Sequence, residues 1–415
     1  MENPKIRFKG YTKDWEQRKL GDVIDDMYNG QTPSRNKSEY WNGTIKWLSS
    51  GELNRGTVYD SIETITEEGQ KAANLKIVPK GTFVMAITGL EAAGTRGNCA
   101  LLGFDTTLNQ SCMALFPKQE MLTSEFLFQW YRKVGEEYGI NYTQGTKQQS
   151  YNAELIKILP ISLPSVVEQR KISSYLSHLD HLITLHQRKC EQTKKLKKYM
   201  LQKMFPQNGA KVPEIRFDGF TYDWEQRKLG DLVDRVTRKN QDLVSELPLT
   251  ISAQYGLIDQ NEFFDKRVAS KDVSGYYLIE KGEFAYNKST STDAPWGAIK
   301  RLDRYENGVL STLYIVFGIK ENNPVDSDFL VSYYSTNLWH KGIHEIAAEG
   351  ARNHGLLNIT PADFFETRLM IPQDIEEQKK IGKYFIELEA LITLHQRKCD
   401  ELKKMKKYML QNMFI

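Results

Sequence analysis

Four polar loops contain the residue types that contact nucleic acid. Arg, Lys, Asn and Gln side chains form paired hydrogen bonds to the edges of guanine and adenine, and glycine lets a backbone approach a phosphate closely. An ordinary turn explains any single loop equally well. The loops cover residues 94–98, 144–152, 287–292 and 350–355. The candidate contact residues in them are Thr95, Arg96, Asn98, Lys147, Gln148, Gln149, Asn287, Lys288, Ser289, Arg352, Asn353 and His354.

Motifs of catalysis are missing from the sequence. It contains no HExxH, no GxSxG and no intact GxxxxGK[ST]. Residues 282–289 (GEFAYNKS) lack the second glycine of a phosphate-binding loop. Asp363 with Glu377 and Lys379 resembles a metal-nuclease pattern, but Glu377 opens a helical segment and is interpreted as part of a solvated helix face. We therefore expect a reader and scaffold with no catalytic residue and no metal site.

The candidate loops belong to a chain that consists of two copies of one sequence unit. IRFKGYTKDWEQRKLGD begins at Ile6 and IRFDGFTYDWEQRKLGD at Ile215, an offset of 215 − 6 = 209. LITLHQRKCEQTKKLKKYMLQKMF begins at Leu182 and LITLHQRKCDELKKMKKYMLQNMF at Leu391, an offset of 391 − 182 = 209. The ends of the unit are near-identical and the middles are dissimilar. Like ends predict like partners, and unlike middles predict different targets.

Each middle is predicted to be a compact α+β domain. Short apolar runs indicate strands, and longer amphipathic patterns at 124–137 and 326–341 indicate helices. Two candidate loops, within 144–152 and 350–355, lie at corresponding places shortly before the next long helix. The predicted strands cover 44–49, 81–88, 112–116, 247–253, 282–287 and 310–318.

A long helix is predicted to close each unit. Ser165 and Asp374 follow a proline and can cap the helix starts. Apolar residues then recur every three or four positions, a pattern typical of helices that pack on each other. The predicted fold is α+β: two tandem α/β domains, each followed by a long α-helix, with the helices packed as an antiparallel coiled coil of pseudo-two-fold symmetry. The predicted segments are 1–164, 165–206, 207–373 and 374–415. The Lys-Lys pairs at 194–195, 197–198, 403–404 and 406–407 are interpreted mainly as the solvated helix face.

Composition adds few constraints. The net charge of +3 neither requires nor excludes nucleic acid, so a DNA-binding role would need Lys and Arg segregated onto one face. The four cysteines form no CxxC pair, and a disulfide between Cys190 and Cys399 is disfavoured in a reducing compartment. No apolar run reaches the roughly 18 residues of a membrane span, and the first residues lack a signal core. A cytoplasmic protein is expected.

The repeated opening segment has two explanations. Trp15, Arg18, Trp224 and Arg227 recur within identical WEQRKLGD stretches. The segment can dock on its own long helix, or it can form a surface for a partner. Both explanations carry equal weight, and the four residues are the candidate partner-binding set.

The residues described above resemble the specificity subunit of type I restriction-modification enzymes. The resemblance lies in two variable domains, each followed by a helix that begins EQRKI at Glu168 or EQKKI at Glu377 and contains LITLHQRK. Leu48–Leu53 (LSSGEL), Pro79–Thr82 (PKGT), Asn109-Gln110 and Leu163-Pro164 resemble that family's recognition domains. The second middle has no Asn-Gln counterpart and carries YNKS from Tyr286 instead.

The resemblance implies a role and a set of partners. Each variable domain would read one half of a bipartite site in double-stranded DNA, and the paired helices would set the gap. The chain would bind two methyltransferase (modification) subunits and, through them, restriction/translocase subunits. S-adenosylmethionine, ATP and Mg²⁺ would belong to those partners, with no cofactor in this chain.

Two other classes of function stay open at this point. One is an enzyme that acts on DNA through an unrecognised active site, and turnover by the isolated chain would favour it. The other is a coiled-coil scaffold that binds only protein, and a complex without sequence-dependent DNA binding would favour that.

Overall fold

The computed structural model describes residues 3–91, 94–145, 149–252, 255–266, 268–292, 294–321, 325–347, 352–353 and 355–415, with 352–353 described by backbone alone. The chain forms two compact units. The first comprises Met1–Gln187 with Arg397–Ile415, and the second comprises Arg188–Gln396. Each long helix therefore contributes one part to each unit. The four consecutive segments predicted from the sequence stay a prediction.

The first unit contains the strands that the structure describes in the first middle. Its elements, in chain order, are β1 (Glu16–Lys19), β2 (Ile24–Asn29), β3 (Trp41–Leu48), β4 (Gly56–Val58), β5 (Glu63–Ile65), α1 (Glu67–Ala72), β6 (Phe83–Ala86), β7 (Cys99–Leu102), β8 (Thr107–Leu108), β9 (Cys112–Pro117), α2 (Ser124–Asn141), α3 (Ala153–Lys157), β10 (Pro160–Leu163) and the start of α4 (Val166–Lys203).

The second unit follows a similar sequence of elements. They are β11 (Glu225–Lys228), α5 (Leu229–Leu232), β12 (Val233–Val236), β13 (Leu249–Ser252), β14 (Gly256–Asp259), α6 (Gln260–Phe264), β15 (Tyr277–Glu280), β16 (Phe284–Asn287), β17 (Ala298–Arg301), β18 (Asn307–Leu310), β19 (Ile315–Ile319), α7 (Ser327–Tyr333), α8 (Leu338–Ile346), β20 (Arg352–Asn353), β21 (Leu356–Leu357), α9 (Pro361–Glu366), β22 (Arg368–Ile371) and the start of α10 (Ile375–Asn412).

Four strands of each main sheet follow the same order despite their dissimilar sequences, and the first sheet has β4 as a fifth strand. The first has the order β2-β9-β6-β7-β4 and the second β12-β19-β16-β17. In both, the strand that begins at Phe83 or Phe284 lies between two antiparallel neighbours. A glycine with positive φ, Gly81 or Gly282, precedes that strand. Strand pairing uses backbone groups, so different side chains can build the same sheet provided the inward positions stay apolar. The predicted α+β class is confirmed.

The long helices begin where their caps predict. The Ser165 hydroxyl accepts a hydrogen bond from the Glu168 amide at 3.4 Å, and the Asp374 carboxylate accepts one from the Glu376 amide at 2.8 Å. These side chains satisfy amides that have no partner within the first helical turn, and both predicted caps are confirmed.

Parts of the two helices pack together within each unit. In the second unit, Cys190 lies against Ile392 and Gln396, while Lys197 pairs with Glu389. Numbers rise along α4 as they fall along α10, so these two segments run in opposite directions. In the first unit Met413 and Phe414, which directly follow α10, join the core that contains Leu176 of α4. The continuous coiled coil and its pseudo-two-fold axis stay predictions.

Three sequence-based interpretations are corrected. The helix predicted over 326–341 is two helices, α7 and α8. Thr336 divides them, because its hydroxyl donates to the Tyr333 carbonyl at 2.6 Å and accepts from the Leu338 amide at 3.2 Å, which replaces helical hydrogen bonds. Glu377 does not lie on a solvated helix face: it is buried and paired with Arg216. Lys406 is buried as well, unlike the solvated lysine that its Lys-Lys context predicts.

Two further findings concern the chain as a whole. All four cysteines are buried and free. Among the helices that the structure describes, none has the length and apolarity required to span a membrane.

Candidate nucleic-acid interface

In the first unit, one candidate loop is the hairpin that connects β6 to β7. Its two sides are held by internal hydrogen bonds: the Thr95 hydroxyl donates to the Gly89 carbonyl, and Arg96 Nη2 donates to the Glu91 carbonyl at 2.8 Å. Gly97 has φ +71°, and an added Cβ there would lie 3.0 Å from the backbone of Gly135, so the close approach to α2 requires glycine. These contacts hold residues 94–98 of the hairpin against residues 89–91 and against α2.

A second candidate loop of the first unit lies against this hairpin. The Leu90 amide donates to the Gln149 carbonyl at 3.1 Å, and the Tyr151 amide donates to the Ile87 carbonyl at 2.8 Å. Residues separated by about sixty positions are therefore joined, a juxtaposition that the sequence does not reveal. Lys147 and Gln148, also predicted as contacts, lie outside the described residues. The buried carbonyl oxygen of the Gln149 side chain points away from solvent.

Arg55 is a residue of this site that sequence analysis missed. It has φ +59°, which is uncommon for a residue other than glycine. Its Nε donates to the Asn98 side-chain oxygen at 3.3 Å, and its Nη2 donates to the Arg96 carbonyl. Arg55 therefore orients two of the predicted contact residues. The only sequence signal was an Asn-Arg-Gly turn, which is too common to single out.

The second unit brings its two candidate loops together in the same way. Asn287 ends β16, and Lys288 and Ser289 begin the loop between β16 and β17. The Leu357 amide donates to the Lys288 carbonyl at 3.0 Å, and the Thr290 amide donates to the Gly355 carbonyl at 2.7 Å. Of the other predicted contacts, Arg352 and Asn353 form the short strand that pairs with β21, and His354 lies outside the described residues.

In this second site the side chains of Asn287 and Lys288 form hydrogen bonds within the protein. The Asn287 side-chain oxygen accepts from the Ser289 amide at 3.0 Å, which stabilises the turn. Lys288 Nζ donates to the Ile359 carbonyl at 3.3 Å, and burial lowers the pKa of Lys288. Lys288 thus supports the loop from within. Trp296 and His344, which sequence analysis did not select, lie together at this loop with ring centroids 5.1 Å apart.

Both units therefore place corresponding loops at one edge of a common sheet. Ile87 and Lys288 each follow the central strand, and each gives its carbonyl to the amide of the second loop, from Tyr151 or Leu357. The framework is shared, while the side chains it presents differ. Among the described residues, no group of three or more His, Cys, Asp or Glu side chains forms a metal-binding cluster.

The repeated opening segment docks on its own unit. Trp15 and Trp224 are buried, and Trp15 packs on Phe126 and Phe414. Trp224 donates from Nε1 to Glu377 at 3.3 Å. This docking accounts for the two tryptophans, one of the two roles that the sequence left open.

The arginines of that segment have a different setting. Arg18 and Arg227 lie on β1 and β11, pair with Glu16 and Glu225, and keep part of their side chains exposed. In the first unit a cleft of about 380 Å³ lies beside Arg18 and Ser165. A role of Arg18 and Arg227 in partner binding stays a prediction.

Three of the large apolar side chains that the long helices expose lie at corresponding places in the two units. They are Leu185, Met405 and Tyr408 in the first unit, and Leu394, Leu196 and Tyr199 in the second. Each residue of one set has its counterpart in the other at an offset of 209, for example 185 + 209 = 394. Exposed apolar residues that recur at one place in both units indicate a protein-contact surface.

The two sheets share the order of four strands, carry different loops and are held by near-identical opening segments and long helices. This arrangement is that of a duplicated recognition protein. The family model described as the type I restriction modification DNA specificity domain matches residues 12–195 and again residues 222–404. The chain belongs to this family.

Several known proteins resemble the chain. The MjaIX specificity subunit of a type I restriction enzyme from Methanocaldococcus jannaschii is 30% identical over 235 residues, 53% of this chain and 52% of the relative. The EcoR124I/EcoR124II specificity subunit of Escherichia coli is 28% identical over 183 residues, 43% of each protein. The chain thus spans about half the length of these two relatives.

Two similarities extend over almost the whole chain. The putative MjaX specificity subunit of M. jannaschii is 24% identical over 95% of this chain and 91% of the relative. The crystal structure of the S subunit of a type I restriction-modification system from M. genitalium has a TM-score of 0.63 at 14% identity, covering 100% of this chain and 99% of the other. The latter similarity supports the fold.

Proposed function

We propose that this chain is the DNA-recognition subunit of a type I restriction-modification complex. Each variable region, 23–163 and 232–372, reads one half of a bipartite site, and the long helices set the distance between the halves. The observation that carries the proposal is the shared sheet order with different loops at the same edge. A common framework that presents different Arg, Asn and Ser side chains suits the reading of two different short sequences.

The near-identical ends are assigned to duplicate partners. Two methyltransferase subunits would dock on the equivalent apolar positions Leu185 and Leu394 and their neighbours, which are exposed in both units. Exposed apolar side chains at equal places favour two copies of one partner over two different partners. Restriction/translocase subunits would join through the methyltransferase subunits.

The chemistry of the complex is assigned to the partner subunits. They would hold S-adenosylmethionine, ATP and Mg²⁺, and the present chain would contribute positioning through its loops. Reading and catalysis would thus reside on different chains, with the helices as the connection.

Methylation mapping tests the proposal directly. The chain is expressed with its methyltransferase subunits in cells that lack other adenine and cytosine methylation, and the modified positions in genomic DNA are mapped. The expected result is one bipartite sequence with a fixed spacer. Methylation by the methyltransferase subunits alone at the same sites would overturn the proposal, as would a complex that binds DNA with no sequence preference.

A further inference from the structure

Equivalent charged pairs join the two long helices within each unit. Asp180 and Glu389 occupy one position of the repeat (180 + 209 = 389), and Lys197 and Lys406 occupy another (197 + 209 = 406). In the first unit Lys406 is bonded to Asp180. In the second unit Lys197 Nζ lies 2.5 Å from Glu389 Oε2. Each carboxylate thus pairs with the lysine of the other helix.

A further cation approaches each pair from the variable region. In the first unit it is Arg132 of α2, whose Nη1 lies 2.6 Å from Asp180 Oδ2. In the second unit it is Lys300 of β17. Burial and then the charge of Lys197 lower the pKa of Lys300, while Glu389 opposes them. Each group therefore has two cations for one carboxylate, although the additional cation comes from a helix in one unit and a strand in the other.

Both groups lie at the root of the proposed DNA-reading hairpin. Cys99 is the first residue of β7 after that loop. Burial raises the pKa of Cys99 to about 12, and the charges of Arg132, Arg55 and Lys406 act in the opposite direction. The Arg55 amide donates to the Cys99 carbonyl at 2.9 Å, and α2, which carries Arg132, packs on β7. Lys300 lies in β17, which leaves the corresponding loop of the second unit.

The cations of each group outnumber its carboxylates, although Arg132 also donates to the Gln129 side chain at 3.2 Å and lies over the Phe128 ring. Among the described residues, no carboxylate lies within ion-pair distance of Lys300, and Asp180 serves both Arg132 and Lys406. A cation that is partly buried without its own counter-ion is unfavourable unless a bound anion neutralises its charge. The groups remain open to solvent, since the side chains of Asp180 and Glu389 are 36% and 48% exposed.

We propose that each group binds a phosphate of the DNA backbone, where the duplex leaves a half-site and enters the spacer. Arg132 and Lys300 supply the charge that the phosphate neutralises, while Asp180 and Glu389 hold Lys406 and Lys197 in place. The inference rests on the proposed function, because it takes DNA as the ligand of the adjacent loops. These phosphate contacts would fix the position of the protein on the duplex and would not distinguish one base from another.

The salt dependence of DNA binding tests the assignment. The full chain in complex with its methyltransferase subunits is titrated with a duplex that contains the mapped site, at several salt concentrations. Lys300→Met and Arg132→Met each leave a neutral carboxylate–lysine pair. Each is expected to reduce the slope of log K against log salt by about 0.9, the value for one phosphate contact, with unchanged sequence preference. Lys300→Arg is expected to retain the slope.

Chemically modified DNA and a matched lysine provide the controls. On a duplex whose spacer-flanking phosphates are methylphosphonates, the difference between Lys300→Met and the unmodified chain is expected to vanish. Lys281→Met removes an exposed lysine that is paired with Glu306 and should leave the slope unchanged. An unchanged slope for folded Lys300→Met and Arg132→Met would overturn the phosphate assignment alone. Absence of sequence preference in the unmodified complex would instead overturn the proposed function.

Discussion

Arg7 and Glu168 form a two-point ion pair between the opening segment and the start of the first long helix. Nε lies 2.7 Å from Oε1, and Nη2 lies 2.8 Å from Oε2. The second unit repeats the arrangement with Arg216 and Glu377 at the same two distances. Glu168 and Glu377 are each 1% exposed. Buried, bidentate pairs of this kind determine where the repeated segment docks.

Removal of either buried carboxylate is expected to destabilise its unit. Glu168→Ala leaves the Arg7 guanidinium without its counter-ion, which should lower the free energy of unfolding by about 3–5 kcal/mol. Glu377→Ala should have an equal or larger effect, because Trp224 Nε1 loses its acceptor as well. Chemical denaturation followed by tryptophan fluorescence measures both. Glu154→Ala, which removes an exposed pair with Lys157, is the control and should change stability by less than about 1 kcal/mol.

Stability should depend on Lys406 in a defined pH range. Burial and the charge of Arg132 lower the pKa of Lys406 to about 8, against the opposing effect of Asp180. The unfolded chain therefore binds the proton more tightly, so the charged lysine is unfavourable below pH 8, and this cost declines as the pH rises from 8 to 10.5. A shift of this size corresponds to roughly 3 kcal/mol.

The comparison that checks this uses Lys406→Met. The variant should be as stable as the unmodified chain or more stable at pH 7, because Asp180 keeps its pair with Arg132. Its advantage should shrink between pH 8 and pH 10 in denaturant titrations at each pH. Lys407→Met changes the adjacent exposed lysine and should show no such trend. An advantage that does not vary with pH would contradict the burial of a charged Lys406.

Exchange of one variable region should change half of the recognised sequence. Replacing residues 23–163 with the corresponding region of a related subunit should alter one half-site and leave the other half-site and the spacer unchanged. The reason is that the sheet of the first unit carries its own loops, while both docking segments remain. Methylation mapping provides the readout. Changes in both halves would contradict two independent readers.

Single loop residues should affect single base positions. Arg352→Ala or Lys147→Ala is expected to relax specificity at one position of its half-site by about 1–3 kcal/mol. Selection from a randomised half-site measures this discrimination. Lys288→Ala serves as the contrast, because Lys288 Nζ is bonded to the Ile359 carbonyl and supports the loop. A uniform loss of affinity for all sequences would show that Arg352 contacts a phosphate.

Helix length should set the spacer. Four residues added near Lys194–Lys198 lengthen the helix by about 6 Å, and one base-pair step is about 3.4 Å. The spacer between the half-sites should lengthen by about one or two base pairs, with both half-sequences unchanged. The increase is smaller if the shifted register of the helix pair takes up part of the added length. Methylation of sites with increasing spacers measures the change. An active variant with the original spacer preference would show that the helices do not measure the distance.

The sequence alone determined the organisation of this protein. The offset of 209 revealed the duplication, the prolines with Ser165 and Asp374 located the helix starts, and the loop composition identified candidate contacts. These features depend on residues close together in the chain or on direct comparison of two copies. They can therefore be inferred without a fold.

Tertiary structure decided what each charged residue does. Glu377 and Lys406 lie in stretches of polar residues typical of a solvated helix face, yet both are buried by partners far away in the chain, Arg216 and Asp180. Likewise, the contact between the loops of Leu90 and Gln149, and the role of Arg55 beneath them, follow from hydrogen bonds between distant segments. Burial and electrostatic environment arise from the packing of the whole chain, and a local pattern of residue types cannot specify them.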